Sequence, residues 1–270
     1  MRTKLKPPVI TLTTDFGIDD YFVGVMKGVI LSINPKIKLI DITHNISPFQ
    51  IRETAFLVSN FFSYFPPKTI HLIVVDPGVG TKRRAIIAKI RDYFFVAPDN
   101  GVLSYVYQKE KGVKVYEITR DEYFLKPVSQ TFHGRDIFAP VAAYLSQGIS
   151  PDKFGKIIKE YEHFSINEAV FEKNHIKGEI LYCDRFGNLI TNITKKNFEK
   201  ALALPNCKIF KIGSKNFRID NLSSSYSAGK ANTLSAIWGS HGYLEIFLKN
   251  ENAHSEFGIK PGTKVTISFW

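Results

Sequence analysis

Over the first 165 positions, apolar residues follow two alternating rhythms. Short runs rich in β-branched residues read as strands: Pro8–Thr14 (PVITLTT), which reads as buried, then Ile37–Ile42 (IKLIDI) and Thr69–Val75 (TIHLIVV). Between the first two, Phe22, Val25, Met26, Val29 and Ile30 fall on one stripe and predict a helix from about Asp20 to Ser32, capped by Asp19 or Asp20. A second helix is expected from about Gln50 to Phe65. RAIIAKI and YFFVA predict a hairpin, and PDNG (Pro98–Gly101) a turn that leads into another helix. FHGRDIFAPVAAYLSQG predicts a helix from about Asp136 to Ser146, stopped by Gly148. Strands that alternate with helices build a parallel or mixed sheet covered on both faces.

Beyond about Ser165 the rhythm changes. Short β-patterned runs (IKGEILYCD, NLITNI, CKIFKIG, KNFRID, GYLEIFL, KVTISFW) alternate with Gly, Asn, Ser and Pro punctuation. This pattern predicts an antiparallel barrel or sandwich. The expected organisation is an α/β domain over residues 1–165 and a smaller all-β domain over 166–270, with the boundary between about Lys156 and Asn174. No internal repeat or low-complexity tract interrupts it.

Composition removes several function classes. A hydrophobic fraction of 44% and a charged fraction of 23% are those of a globular protein. The opening MRTKLKPPVITL carries positive charge, but two prolines and a short β-rich run follow, so neither a signal peptide nor a membrane anchor is expected and the location predicted is cytoplasmic. Cys183 and Cys207 are too few for a disulfide scaffold and read as small buried hydrophobes. The net charge of +11 comes from lysines scattered along the chain, with no basic run longer than KRR and no aromatic-basic interleaving. A solvated surface accounts for it, and a nucleic-acid partner is not expected. No HxxxH, CxxC or paired-carboxylate spacing suggests a metal centre.

Three stretches carry candidate chemistry. In TDFGIDD, Asp15 follows a buried strand, where open α/β sheets place ligands, and a carboxylate there can accept both hydrogens of a ribose diol. The alternative is a plain turn residue, with Asp19 and Asp20 serving only the helix. VVDPGVGTKRR lacks the Lys-Ser/Thr ending of a P-loop and the third glycine of a dinucleotide fingerprint. Its Gly78 and Gly80 let backbone approach a ligand, and Arg83 can fold back onto Asp76. The same spacing fits a glycine-rich hairpin with a surface salt bridge. In FHGRD, His133 stands at a loop-to-helix junction with space beside it at Gly134.

Taken in order, TDFG, THNISPF, VVDPGVGTKRR, APDNG, FHGRD, DRFGNLITNI and GSHGYLEI resemble the S-adenosyl-L-methionine hydroxide adenosyltransferase family, which is related to the bacterial fluorinase and chlorinase. The resemblance spans essentially the whole chain. It implies hydrolysis of S-adenosyl-L-methionine to adenosine and L-methionine by water attack at C5′, without a cofactor or metal. Asp76, Arg83 and His133 match the family's Asp-Arg-His set that handles the water. Asp15 matches the residue on the ribose diol, and Phe49 an aromatic residue packed against the bound molecule. Asn188 matches an adenine contact, Asp184 a contact to the methionine ammonium, Ser240 a contact to its carboxylate, and Ala253 a backbone contact to adenine. The halogenases have tyrosine and threonine where this chain has Asp76 and Val79, and a carboxylate there repels a halide. His241 stands where the fluorinase has an arginine. The resemblance further implies a homotrimer, with each site between the α/β domain of one subunit and the β domain of its neighbour. A non-catalytic binder of adenosine or S-adenosylmethionine is the alternative; it would use the same ribose and adenine contacts without needing the Asp-Arg-His set.

Overall fold

The unbroken run VITLTT forms β1 (Val9–Thr14), buried along nearly its whole length as a strand covered on both faces must be. It lies parallel to β2 (Lys38–Thr43) and β3 (Ile70–Val74), with Thr14 in register with Val74. The computed structural model describes residues 8–205, 207–215 and 217–270, and the chain divides into two units, Met1–Ser165 and Ile166–Trp270. In the first unit β4 (Ala85–Ile90) and β5 (Tyr93–Pro98) make the expected hairpin. Two further strands, β6 (Lys114–Glu117) and β7 (Ile157–Ile158), complete a mixed sheet ordered β2-β1-β3-β5-β4-β6-β7.

Helices α1 (Phe22–Ile33), α2 (Ile51–Phe61), α3 (Ser104–Lys109) and α4 (Ala139–Ser146) accompany this sheet. α1 buries Val23, Met26 and Ile30, and its N-cap is Tyr21 without any side-chain cap, so neither Asp19 nor Asp20 caps it. The helix begins only at Phe22, whose ring packs on Phe16 and Phe132, and both aspartates lie in exposed bends before that point. α2 stops at Phe61, and the expected remainder is a 3₁₀ turn over Phe62–Tyr64. The helix expected from Asp136 starts earlier, as a wide π turn over Gly134–Phe138. Pro140 brings no N–H to the Asp136 carbonyl four residues back, which accepts the Leu125 N–H instead at 2.9 Å.

His71 on β3 is fully buried within a box of Phe61, Phe62, Phe65, Tyr93 and Phe95, at ring-centroid distances of 5.0 to 6.3 Å. Burial pushes its pKa down to about 3. Between pH 6.5 and about 3 the unfolded chain therefore takes up a proton that the folded chain refuses. This group's contribution is complete above pH 6.5 and is lost as pH falls, by about 1.4 kcal/mol per pH unit. Urea unfolding at pH 7.5 and 4.5 should show wild type losing more stability between the two than His71→Phe does. Equal losses would mean that protonation of His71 is not coupled to unfolding.

The second unit is built on antiparallel ladders. Its strands are β8 (Val170–Glu172), β9 (His175–Cys183), β10 (Leu189–Thr194), β11 (Phe210–Gly213), β12 (Arg218–Ile219), β13 (Ser235–Trp238), β14 (Tyr243–Phe247) and β15 (Lys264–Phe269). The order is β12-β11-β15-β9-β10-β14-β13, with β8 on β9. Leu222, just past β12, bridges to Ala236 on β13, and the Ser223 N–H donates to the Ala236 carbonyl at 2.7 Å, which nearly closes a barrel. Two helices, α5 (Lys195–Leu202) and α6 (Ala253–Phe257), interrupt the strands. α5 turns Phe198 and Ala201 into the barrel core and is capped by Thr194, whose hydroxyl accepts the Asn197 N–H. Cys207 is buried as expected, whereas Cys183 is only half-buried. No described helix is long and apolar enough to cross a membrane.

Candidate active site

Parallel pairing of β1 with β3 sets the segments that follow them, Asp15 and Asp76, at the same edge of the first unit's sheet. Asp15 Oδ2 accepts the Phe49 N–H at 2.9 Å. That bond holds Phe49 at a left-handed φ of 66°, the residue 66% exposed, beside the carboxylate expected to hold a ribose. The loop has a second anchor from the THN motif. Thr14 Oγ1 pairs with His44 Nδ1 at 2.8 Å, His44 Nε2 meets Asp41 at 3.0 Å, and Asp41 meets Lys27 at 2.5 Å. Burial works to raise the pKa of Asp41, but hydrogen bonds from Lys27 and His44 outweigh it and hold the carboxyl below its ordinary value. The His44 carbonyl accepts the Gly17 N–H at 2.8 Å, which ties both sides of the loop together.

Asp76 heads a tight turn. Its carbonyl accepts the Val79 N–H, and the Gly78 carbonyl accepts both the N–H and the hydroxyl of Thr81. Gly80 has φ of +76°, and a Cβ there would lie 2.3 Å from the Gln130 carbonyl oxygen. The turn brings Arg83 back so that Nε donates to both Asp76 oxygens, at 2.8 and 3.0 Å, while Nη2 pairs with Oδ2. Nη2 also meets His133 Nδ1 at 2.8 Å, and the guanidinium stacks over Phe138 at 5.1 Å. The Arg83 and Asp76 side chains are only 10% and 5% exposed, which excludes the surface salt bridge that the spacing also allowed.

A guanidinium can only donate, so Nδ1 of His133 accepts and the ring proton sits on Nε2. Burial first, and then the Arg83 charge, lowers the His133 pKa below its ordinary value and keeps the ring neutral at pH 7. His133 stands immediately before the π turn. Its neighbours in FHGRD serve the frame: Asp136 is fully buried, paired with Arg135 and accepting the Ser129 N–H. Similarly, Asn100 of APDNG donates to the Val75 carbonyl at 2.9 Å and so steadies the residue before Asp76.

The remaining candidates lie in the second unit. Between β9 and β10, Asp184 Oδ1 accepts the N–H groups of Phe186 and Asn188, and Oδ2 accepts the Asn188 amide at 2.9 Å. Asp184 and Asn188 are thus locked together. They line a cleft of about 670 Å³ together with Phe186, Tyr226 and Phe247, a size suited to a small organic ligand. Phe186 and Tyr226, 76% and 47% exposed, are aromatic walls that the sequence reading did not select. Ser240 sits in the exposed Gly239–Gly242 turn with its hydroxyl 3.3 Å from His241 Nδ1. Ala253 is fully buried at the start of α6. Among the described residues, no group of three or more His, Cys, Asp or Glu side chains is arranged to hold a metal ion.

Comparison with known proteins bears on both units. Residues 10–155 match the SAM hydroxide adenosyltransferase N-terminal domain, and residues 178–266 match the C-terminal domain of the same family. The chain is 37% identical over 257 residues to the (R)-S-adenosyl-L-methionine hydrolase of Methanocaldococcus jannaschii, covering 91% of this chain and 90% of that one. It is 25% identical over 294 residues to a fluorinase of Nocardia brasiliensis, covering 98% of both. A crystal structure of an uncharacterised conserved protein from Thermotoga maritima superposes with a TM-score of 0.88 at 37% identity, covering 96% of this chain and 99% of that one.

Proposed function

The chain belongs to the S-adenosyl-L-methionine hydroxide adenosyltransferase family, and from that premise we propose that it hydrolyses S-adenosyl-L-methionine to adenosine and L-methionine, with water handled by Asp76, Arg83 and His133. The observation that carries this reading is the buried chain in which one guanidinium holds both a carboxylate and a neutral imidazole. Water attacks C5′ in line with the C5′–S bond. The C5′–O bond forms as the bonding pair returns to sulfur, and neutral methionine leaves. A sulfonium needs no acid to help it depart, so the protein's task is to place the water and accept its proton.

His133 Nδ1 is engaged by Arg83, so the imidazole presents its Nε2–H and serves as a donor that orients the water oxygen. Asp76 is the acceptor for the proton, and the fixed guanidinium stabilises hydroxide character as it develops. Asp15 holds the ribose diol and Phe49 packs on the bound nucleoside. In the second unit, Asn188 reads adenine, Asp184 takes the ammonium, Ser240 the carboxylate, and backbone at Ala253 the adenine edge. Candidate contacts divided between two units accord with a homotrimer that joins them across subunits, which light scattering on a sizing column would measure. The location expected for such an enzyme is the cytoplasm.

Incubation with S-adenosylmethionine in ¹⁸O-water tests the reaction, and label at the 5′ oxygen of adenosine is the expected result. His133→Ala should lower kcat by ~10²–10⁴-fold and leave adenosine affinity within about twofold. Adenosine that stays bound to the purified protein with no turnover would favour a binding protein instead.

A further inference from the structure

Glu245 on β14 is a carboxylate that none of the contacts above uses. It is 7% exposed, and its Oε2 accepts the Tyr226 hydroxyl at 2.5 Å. Its other oxygen lies against the backbone of Gly239, where a Cβ would come within 1.7 Å, so the turn carrying Ser240 closes directly onto it. Tyr226 lines the same cleft as Asp184 and Asn188, and its ring stands edge-on to Phe247 at 5.1 Å. Glu245 thus links the aromatic wall of the cleft to the Ser240 turn.

The cleft is also lined by Lys249 and Glu251, one charge of each sign, so Asp184 and Glu245 are the excess negative charge there in a chain of net charge +11. The hydrogen-bond partners described for Asp184 and Glu245 are neutral: backbone N–H groups and the Asn188 amide for one, the Tyr226 hydroxyl for the other. Burial raises the pKa of Glu245 and the nearby Asp184 charge raises it further, while Tyr226 and His241 oppose both. Holding two carboxylates near each other with neutral partners is costly in an unliganded protein. It is favourable once a cation enters, because low-dielectric walls focus the field of like charges into a cleft.

Resting on the functional reading above, we propose that Glu245 is a specificity residue whose buried charge, set behind Tyr226, selects the cationic amino-acid end of the substrate over neutral adenosine. The residue acts on binding and not on the bond being broken. Losing such an interaction raises KM while kcat stays unchanged.

Glu245→Gln keeps an oxygen acceptor for the Tyr226 hydroxyl and removes the charge, with an amide NH2 in place of the second oxygen. KM for S-adenosylmethionine should rise about tenfold with kcat within about threefold, and the inhibition constant of adenosine should stay within about twofold. S-adenosylhomocysteine, which has the ammonium but not the sulfonium, locates the cation: weakened with the substrate it points to the ammonium, unchanged like adenosine it points to the sulfonium. Parallel weakening of substrate and adenosine would reduce Glu245 to a prop for the wall and overturn the proposal, as would no change in either. A wild-type protein that does not turn over S-adenosylmethionine would instead defeat the functional reading before the variant is compared.

Discussion

Arg83→Ala should lower kcat by ~10²–10⁴-fold and cost on the order of 3–5 kcal/mol of stability, the joint effect of one side chain that serves two others. Asp76 is 5% exposed and receives every Arg83 bond its two oxygens can share, so alanine leaves a carboxylate desolvated without its cation. The same change frees Nδ1 of His133, and the imidazole proton can then move to either nitrogen. Arg83→Lys separates the two consequences. An ammonium restores charge beside Asp76 but lacks the planar fork that reaches both the carboxylate and the imidazole. Much of the stability should return with lysine while kcat stays at least tenfold low. Urea unfolding and single-turnover rates on both variants decide it, and an alanine variant with kcat within a few-fold of wild type would sink the assignment.

Gly80→Ala is expected to damage the Asp76 turn severely with a single methyl group, because the atom it meets is backbone. The added Cβ would lie 2.3 Å from the Gln130 carbonyl oxygen, and φ of +76° disfavours any L side chain. Strain and clash together should cost roughly 2–5 kcal/mol. Because the turn carries Asp76 at one end and Arg83 beyond the other, kcat should also fall by more than about tenfold. Gly28→Ala in α1 is the matched control. Nothing lies within 4 Å of a Cβ there, and alanine is the better helix former, by about 0.5–1 kcal/mol. Thermal unfolding should therefore move in opposite directions for the two variants. A Gly80→Ala protein as stable and active as wild type would mean that the turn is not held in this conformation.

Much of the α/β unit was legible because its signals are local. β1, β3 and the β4–β5 hairpin are continuous apolar runs that only a covered sheet can bury. Short polar elements were not legible. α5 has the sequence KKNFEKAL, and its inward stripe of Phe198, Ala201 and Leu202 is a single turn long, too short to stand out between strand runs. The capping aspartates misled for a related reason: a cap is defined by where the helix starts, and packing of the Phe22 ring moved that start past Asp20. At the site, spacing alone could bring Asp76 and Arg83 together but could not place them inside or outside. Phe138 and Gln130, more than 45 residues away along the chain, supply the cover. Glu245 was invisible for the same reason, since its neutral partner Tyr226 lies on a separate turn nineteen residues earlier.

The Leu222–Ala236 bridge has a consequence beyond shape. An open eight-stranded sheet would present two rows of unsatisfied amides and carbonyls, ready templates for a strand from another molecule. Here β12 is only two residues long, and the backbone just beyond it is spent on β13. At this seam an incoming strand therefore finds little backbone to copy, and the open edge that remains among the described residues is the three-residue β8 on β9.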